Sequence, residues 1–257
     1  MITDEKYWTD FYQSHRDPFA ASLFAKFCYK HYIKKYDLLL ELGCGNGRDS
    51  IFFSKNSIRV DAIDLCKKEI YYLNQKHKGD NVRFICMDFS EIDFVDKYDI
   101  VYSRFTLHSI SEEQENRLFP AVYKALKKYK DYNITLKDTK AEQKNFRNIQ
   151  RQENKEGRYG KFQEEKYRSE ENQQNKIKTG YFCIEARGIK NSLYGLGKQV
   201  DKDSFIYNDH FRRFINIDIT CKKLQSVGFD IVLAEENINF APFKKENDYF
   251  VRIVAKK

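Results

Sequence analysis

The chain has 257 residues, enough for one large α/β domain or two small ones, and its 46 Lys and Arg outnumber 38 Asp and Glu for a formal charge of +8. The two signs are interleaved, without the basic run or stripe of a dedicated nucleic-acid binder, so the charge points weakly to anionic partners and away from nucleic acid. The N-terminal residues lack an apolar signal core and no stretch approaches membrane-spanning length, which predicts a cytoplasmic protein without a membrane partner.

Residues 5–36 are rich in aromatic side chains, and Trp8, Phe11 and Tyr12 fall on one face of a helix, a pattern that reads first as a core-packing leading helix. The apolar run 38–42 predicts a parallel strand buried on both faces. It ends in Gly43-Cys44-Gly45-Asn46-Gly47, and a helical pattern opens at once over 48–55. Glycines at alternate positions let the backbone turn sharply and approach a ligand, and the helix start directs free N–H groups at the same spot. The spacing is neither the dinucleotide fingerprint nor a phosphate loop with its Gly-Lys-Ser/Thr ending. A second strand, 58–63, leads to Asp64, a carboxylate about 20 residues past the glycine loop that suits a ribose diol, with capping of the next helix, 67–76, as the structural alternative. A third strand, 82–87, leads to Asp88-Phe89, and a fourth, 98–102, to Ser103-Arg104-Phe105-Thr106-Leu107-His108. Ser111-x-x-Gln114 is a capping box opening a helix over 111–128.

The alternation breaks at 137–175, where ten basic residues face eight acidic ones and apolar residues are too sparse for a core. This insertion reads as a solvated arm, with contacts to a second copy of the chain or to RNA as the alternatives. A fifth strand, 180–187, ends at Glu185-Ala186-Arg187. After it come a glycine-punctuated loop carrying Tyr194, the segment Asp209-His210-Phe211-Arg212-Arg213, a helix over 217–227, a strand over 229–235 and a last strand over 248–255. The connection 236–247 is positioned to cover one side of a pocket. Six scattered cysteines without Cys-x-x-Cys or Cys/His spacing read as free thiols in a reducing compartment, with no metal site.

Glu41-Leu42-Gly43-Cys44-Gly45-Asn46-Gly47 resembles the first motif of class I S-adenosylmethionine-dependent methyltransferases. The resemblance implies an enzyme with a seven-stranded Rossmann-like α/β sheet, mostly parallel with an antiparallel last strand and helices on both faces. It implies one domain over 1–257, with 1–36 a helical lid over the cofactor, lined by Tyr7 and Trp8, and 137–175 an insertion. S-adenosylmethionine is the implied cofactor, held by Glu41, Gly43, Gly45, Asp64, Asp88, Phe89 and Ser103, with Asp88 accepting from the adenine amino group. Capping around Ser90 is the competing reason for polar residues there.

The Asn/Asp-Pro-Pro-Tyr pattern of enzymes that methylate nucleobase amino groups is missing after the fourth strand. Instead Arg104-Phe105-x-Leu107-His108, Glu185-Ala186-Arg187 with Leu193-Tyr194-Gly195, and Asp209-His210-x-Arg212-Arg213-Phe214 resemble a bacterial small-molecule subgroup associated with capsule clusters and the O-methyl phosphoramidate group. Its implication is O-methylation of a small anionic or phosphorylated acceptor in surface-polysaccharide synthesis. Arg104, Arg187, Tyr194, His210, Arg212 and Arg213 are then the substrate-binding residues, and His210, His108 and Arg104 the catalytic ones. A histidine suits removal of a hydroxyl proton, and guanidinium forks suit a phosphate. An RNA methyltransferase gripping its substrate through the insertion, and a cofactor-binding scaffold without turnover, are the alternatives.

Overall fold

The computed structural model describes Trp8, Tyr12 and residues 20–128, 180–242 and 247–257. Tyr7, Phe11 and the rest of 1–19 apart from Trp8 and Tyr12, the 137–175 insertion and residues 243–246 of the pocket-covering connection lie outside the described residues. Elements are numbered below in chain order through the described part.

The sequence alternates as expected. Helix α1 is Leu23–His31, followed by β1 (Leu38–Leu42), α2 (Arg48–Lys55), β2 (Arg59–Asp64), α3 (Lys67–Lys76), β3 (Val82–Cys86), β4 (Ile100–Arg104) and α4 (Glu112–Ala125). Beyond the insertion come β5 (Tyr181–Arg187), β6 (Lys198–Asp201), β7 (Ser204–Tyr207), β8 (His210–Arg213), α5 (Ile217–Val227), β9 (Asp230–Asn237) and β10 (Phe250–Lys256). Seven strands form one sheet in the order β3-β2-β1-β4-β5-β10-β9. The register is parallel from β3 through β5, and β10 runs antiparallel to both neighbours. Both faces are covered, which is why the central strands are apolar on both sides. Leu40, Leu42, Val101 and Ile184 pack against α4 and α5, while Leu39, Ile100, Tyr102 and Cys183 pack toward α1, α2 and α3.

The helix ends follow their local chemistry. Ser22 caps α1 by accepting from the Ala25 N–H at 2.9 Å. Ser111 and Gln114 exchange both bonds of the capping box. Asn216 caps α5, and Gly228 ends it at φ 112°.

Two elements differ from expectation. The fourth strand starts and ends two residues later than the apolar run suggests. Tyr98 and Asp99 are drawn out of the ladder: the Tyr98 hydroxyl donates to Asp61 at 2.9 Å, and the Asp99 carboxylate accepts from Leu38 N–H at 2.8 Å and from Lys127. Ser103 and Arg104 therefore belong to the strand itself, in register with Ile184 and Glu185 of β5. The same contacts shorten α4, because Leu126 leaves the helix to bridge Tyr98.

The second difference is an additional three-stranded antiparallel sheet, β6-β7-β8, inserted between β5 and α5. Asn208 and Asp209, both at positive φ, make the two-residue turn between β7 and β8. Such a turn matches the twist of the strands it joins. After β8 the chain rejoins the end of β5, where Ile215 N–H donates to Arg187 C=O at 3.0 Å.

Candidate active site

The parallel strands bring the glycine loop, Asp64, Asp88, Ser103 and Arg187 to one edge, their shared carboxyl end, where ligands bind in open α/β sheets. Gly43, at φ 64°, must be a glycine for two reasons. Its backbone is left-handed, and an added Cβ would collide with the Thr106 methyl group and touch Phe89. Thr106 is held by a hydroxyl contact with buried Ser103. Gly45 N–H donates to the Asp64 carboxylate at 2.9 Å, and Cys66 N–H donates to the other oxygen at 2.8 Å. Burial pushes the Asp64 carboxyl above its usual range against the pull of these backbone donors. The ring of Tyr12 lies over Gly45: an added Cβ would sit 2.9 Å from its hydroxyl. Burial first, and then the Asp64 charge, push the Tyr12 phenol well up.

Glu41 is buried beneath this loop and accepts a hydrogen bond from Ser50. Burial, and next the neighbouring Asp49, hold its carboxyl well above the usual range. Asp49 in turn accepts from Ser22 N–H (2.8 Å), Ser22 Oγ (2.7 Å) and the Tyr102 hydroxyl (2.8 Å), which ties the start of α1 to the helix behind the loop. Asp88, rather than Ser90, caps the 3-10 turn Phe89–Glu91 by accepting from Ser90 N–H at 2.8 Å, and Phe89 is buried beside Gly43.

Beyond β4 the chain makes a second tight turn, Leu107–Ser109. Phe105 opens it at φ 56°, uncommon for an aromatic residue, with its N–H donating to Glu185 C=O at 2.8 Å. Its ring lies under two guanidiniums, Arg104 at 4.2 Å and Arg187 at 5.8 Å. His108 in this turn is buried at 6% exposure, and its Nδ1 has no hydrogen-bond partner among the described residues. The His210 ring, delivered by β8, meets it edge-on at 6.1 Å. Trp8 approaches both, at 6.3 Å from His108 and 5.4 Å from His210. Burial, then His210, Arg187, Arg212 and Arg213, hold the His108 imidazole well below its ordinary pKa, so it is neutral at pH 7.

Two arginines and a tyrosine expected at the acceptor site are engaged within the protein itself. Arg104 is not on an open loop: it ends β4, and its Nε donates to Glu185 at 2.8 Å, while Arg252 Nε takes the other carboxylate oxygen at 2.8 Å. Arg213 is buried, with Nε donating to Ile110 C=O at 2.9 Å and Nη2 to Leu107 C=O at 3.2 Å and to Glu115. Tyr194 donates its hydroxyl to Asp203 at 2.7 Å and packs edge-on against Phe205 and Phe214, which makes it a brace of the small sheet. Arg187 and Arg212 stay at the rim, with Arg187 donating to Asn191 at 3.2 Å and Arg212 to the Tyr207 carbonyl at 3.0 Å. Among the described residues no group of three or more His, Cys, Asp or Glu could hold a metal ion, and no helix is long and apolar enough to cross a membrane.

Sequence reasoning overlooked Tyr12, whose ring it assigned to a core-packing face. The aromatic cluster 7–12 was the available signal, but helical periodicity does not distinguish a core face from a ligand-covering one.

The fold defined by this sheet order is that of class I S-adenosylmethionine-dependent methyltransferases. The Burkholderia thailandensis 1,6-didemethyltoxoflavin-N1-methyltransferase, solved with its acceptor and S-adenosylhomocysteine, superimposes with a TM-score of 0.59 at 18% identity, over 98% of this chain and 86% of that one. Residues 39–129, the stretch from β1 through α4, match the family of methyltransferase domains. The malonyl-[acyl-carrier protein] O-methyltransferase of Acetivibrio thermocellus is 33% identical over 70 residues, 26% of this chain and 25% of that protein. The phosphoethanolamine N-methyltransferase of Plasmodium falciparum is 29% identical over 92 residues, 35% of each. The chain thus spans about a quarter to a third of the length of the curated relatives it matches.

Proposed function

We propose that this protein is an S-adenosylmethionine-dependent methyltransferase acting on a small anionic or phosphorylated acceptor, at oxygen. The cofactor residues fit. Gly43 and Gly45 present backbone without a Cβ, the Asp64 carboxylate is held between the loop and β2, and Asp88, Phe89, Glu41 and Ser103 border the same edge. When bound, the cofactor supplies an electrophilic methyl group on a sulfonium, which leaves this chain to position the acceptor.

The observation that carries the acceptor class is the field at His108. After burial, His210, Arg187, Arg212 and Arg213 are the groups that act most strongly on this imidazole. A rim of cationic groups favours an anion, and burial first, then these charges, keep His108 neutral and able to take a hydroxyl proton. A phosphate oxygen, already ionised, would need only orientation by Arg187 and Arg212. Glu185 and Glu115 engage Arg104 and Arg213, so these two arginines contribute charge and support rather than contact. The relatives named above act on acceptors as different as a carrier-protein acyl group and phosphoethanolamine. Motif resemblance to the capsule-cluster subgroup supports surface-polysaccharide building blocks, made in the cytoplasm, as the source of the acceptor.

The test is an acceptor screen of phosphorylated, carboxylated and neutral hydroxy compounds, read by homocysteine release, with Asp64→Ala and Arg187→Gln beside the native chain. Anionic acceptors should turn over preferentially. Asp64→Ala should weaken cofactor binding about tenfold or more. Arg187→Gln should raise the acceptor KM with cofactor affinity unchanged. Preferential turnover of neutral compounds would refute the anionic class, and unaltered cofactor affinity in Asp64→Ala would remove the ribose assignment.

A further inference from the structure

We infer that Arg213 and Glu115 form a buried clamp that sets the spacing of the His108–His210 pair, making Arg213 a positioning residue of the acceptor site. The inference rests on the acceptor site proposed above and adds a device that holds it in register.

The two histidines come from distant parts of the chain. His108 lies in the turn after β4, and His210 starts β8 in the small sheet. The small sheet shares no ladder with the main one beyond the Ile215–Arg187 bond at the end of β5, and among the described residues no main-chain hydrogen bond joins β8 directly to the histidine turn. Arg213 ends the strand that His210 begins. Its guanidinium donates to the carbonyls of Leu107 and Ile110, the residues on either side of the His108–Ser109 step. The third partner, Glu115, is 1% exposed and lies on the first turns of α4. Its second oxygen accepts from Lys223 of α5 at 3.0 Å, and Lys223 also donates to Glu112 at 2.6 Å. One planar fork therefore joins β8, the histidine turn and α4, and α5 closes the network. Lysine cannot reproduce it, because a single ammonium lacks the fixed fork geometry that reaches three acceptors.

This arrangement explains a charge that otherwise has no ligand to meet. A buried arginine in a rim of cationic groups looks like an anion receptor in sequence. Here its donors are directed inward, and what faces the His108 ring is its charge, alongside Arg187 of β5, Arg212 and His210 of β8, and the rings of Trp8 and Phe105.

The experiment follows the two imidazoles in the full chain by nitrogen-labelled histidine NMR against pH, assigned with His108→Asn and His210→Asn. Emission of Trp8, the single tryptophan, is read alongside, because a protonated imidazole beside an indole quenches it. Arg213→Lys keeps the charge and loses the fork. With the clamp gone, the His108 midpoint should rise by about one pH unit or more and the quenching midpoint should move with it. Glu115→Gln keeps the shape but removes the carboxylate that offsets the Arg213 charge, so both midpoints should fall rather than rise. Folding of each variant is checked by its thermal transition. Midpoints identical to the native chain in either folded variant would overturn the clamp, since a purely structural arginine lowers the melting temperature without touching the titration. Should both variants fail to fold, the native chain decides: the Arg213 Nε–H must be protected from hydrogen exchange, and rapid exchange there overturns the inference as well.

Discussion

Replacing Glu185 with leucine separates the two roles available to Arg104. Glu185 is 1% exposed and accepts from Arg104 and Arg252, one guanidinium on each oxygen. Leucine removes both acceptors and leaves two buried guanidiniums without their counter-ion. Breaking a buried pair by deleting one partner costs about 3–5 kcal/mol. For a chain of this size each kcal/mol shifts the melting temperature by roughly 2–4 °C, so Glu185→Leu should melt roughly 6–20 °C lower. Arg104→Met should cost less, about 1–3 kcal/mol, because Glu185 keeps Arg252. The double variant should recover part of the sum, with a coupling of about 1 kcal/mol or more for groups in direct contact. The assay is urea and thermal unfolding followed by circular dichroism, with cofactor binding and turnover measured on the folded variants. If Glu185→Leu loses less than about 1 kcal/mol while Arg104→Met keeps full stability and abolishes turnover, the ion pair is incidental and Arg104 is an acceptor residue.

Gly43→Ala combines a left-handed backbone with a collision against Thr106, and should lose roughly 2–5 kcal/mol and most cofactor affinity. Gly79→Ala has positive φ but open space around it, so it should lose only about 1–2 kcal/mol; equal losses would show that Thr106 is not what requires the glycine. For Glu41 the raised pKa sets the sign of a pH effect: above the ordinary carboxylate range the unfolded chain has released a proton that the folded chain still holds. Stability therefore falls as pH rises from that range through the folded pKa, and Glu41→Gln should remove this falling component in urea titrations between pH 4 and pH 8; an unchanged slope would assign it to another group.

Much of the fold was legible because one physical signal repeats. Each buried parallel strand announces itself as an apolar run, and each glycine or aspartate at its end marks the sheet's carboxyl edge. Asp64 and Gly43 were accessible on those grounds. The limits were equally physical. The β4 boundary slipped because Tyr98 is apolar in pattern but is pulled out of the ladder by Asp61 and Leu126, so Arg104 was assigned to a loop. The small sheet escaped notice because strands of four residues carry too little periodicity, although Asn208-Asp209 was a usable hairpin signal. The guanidinium of Arg213 reads the same in sequence whether it faces a ligand or a carbonyl. Only the fold reveals Leu107, Ile110 and Glu115 around it.

The place of β10 has a consequence for how the chain is made. It is the last of the described strands to emerge, yet it fills the gap between β5 and β9, so β5 is synthesised with one edge open until some sixty residues later. Such an edge is a template for pairing with another nascent copy. Substitutions that weaken the β9–β10 hairpin should therefore lower the yield of soluble protein before they alter the properties of the molecules that do fold.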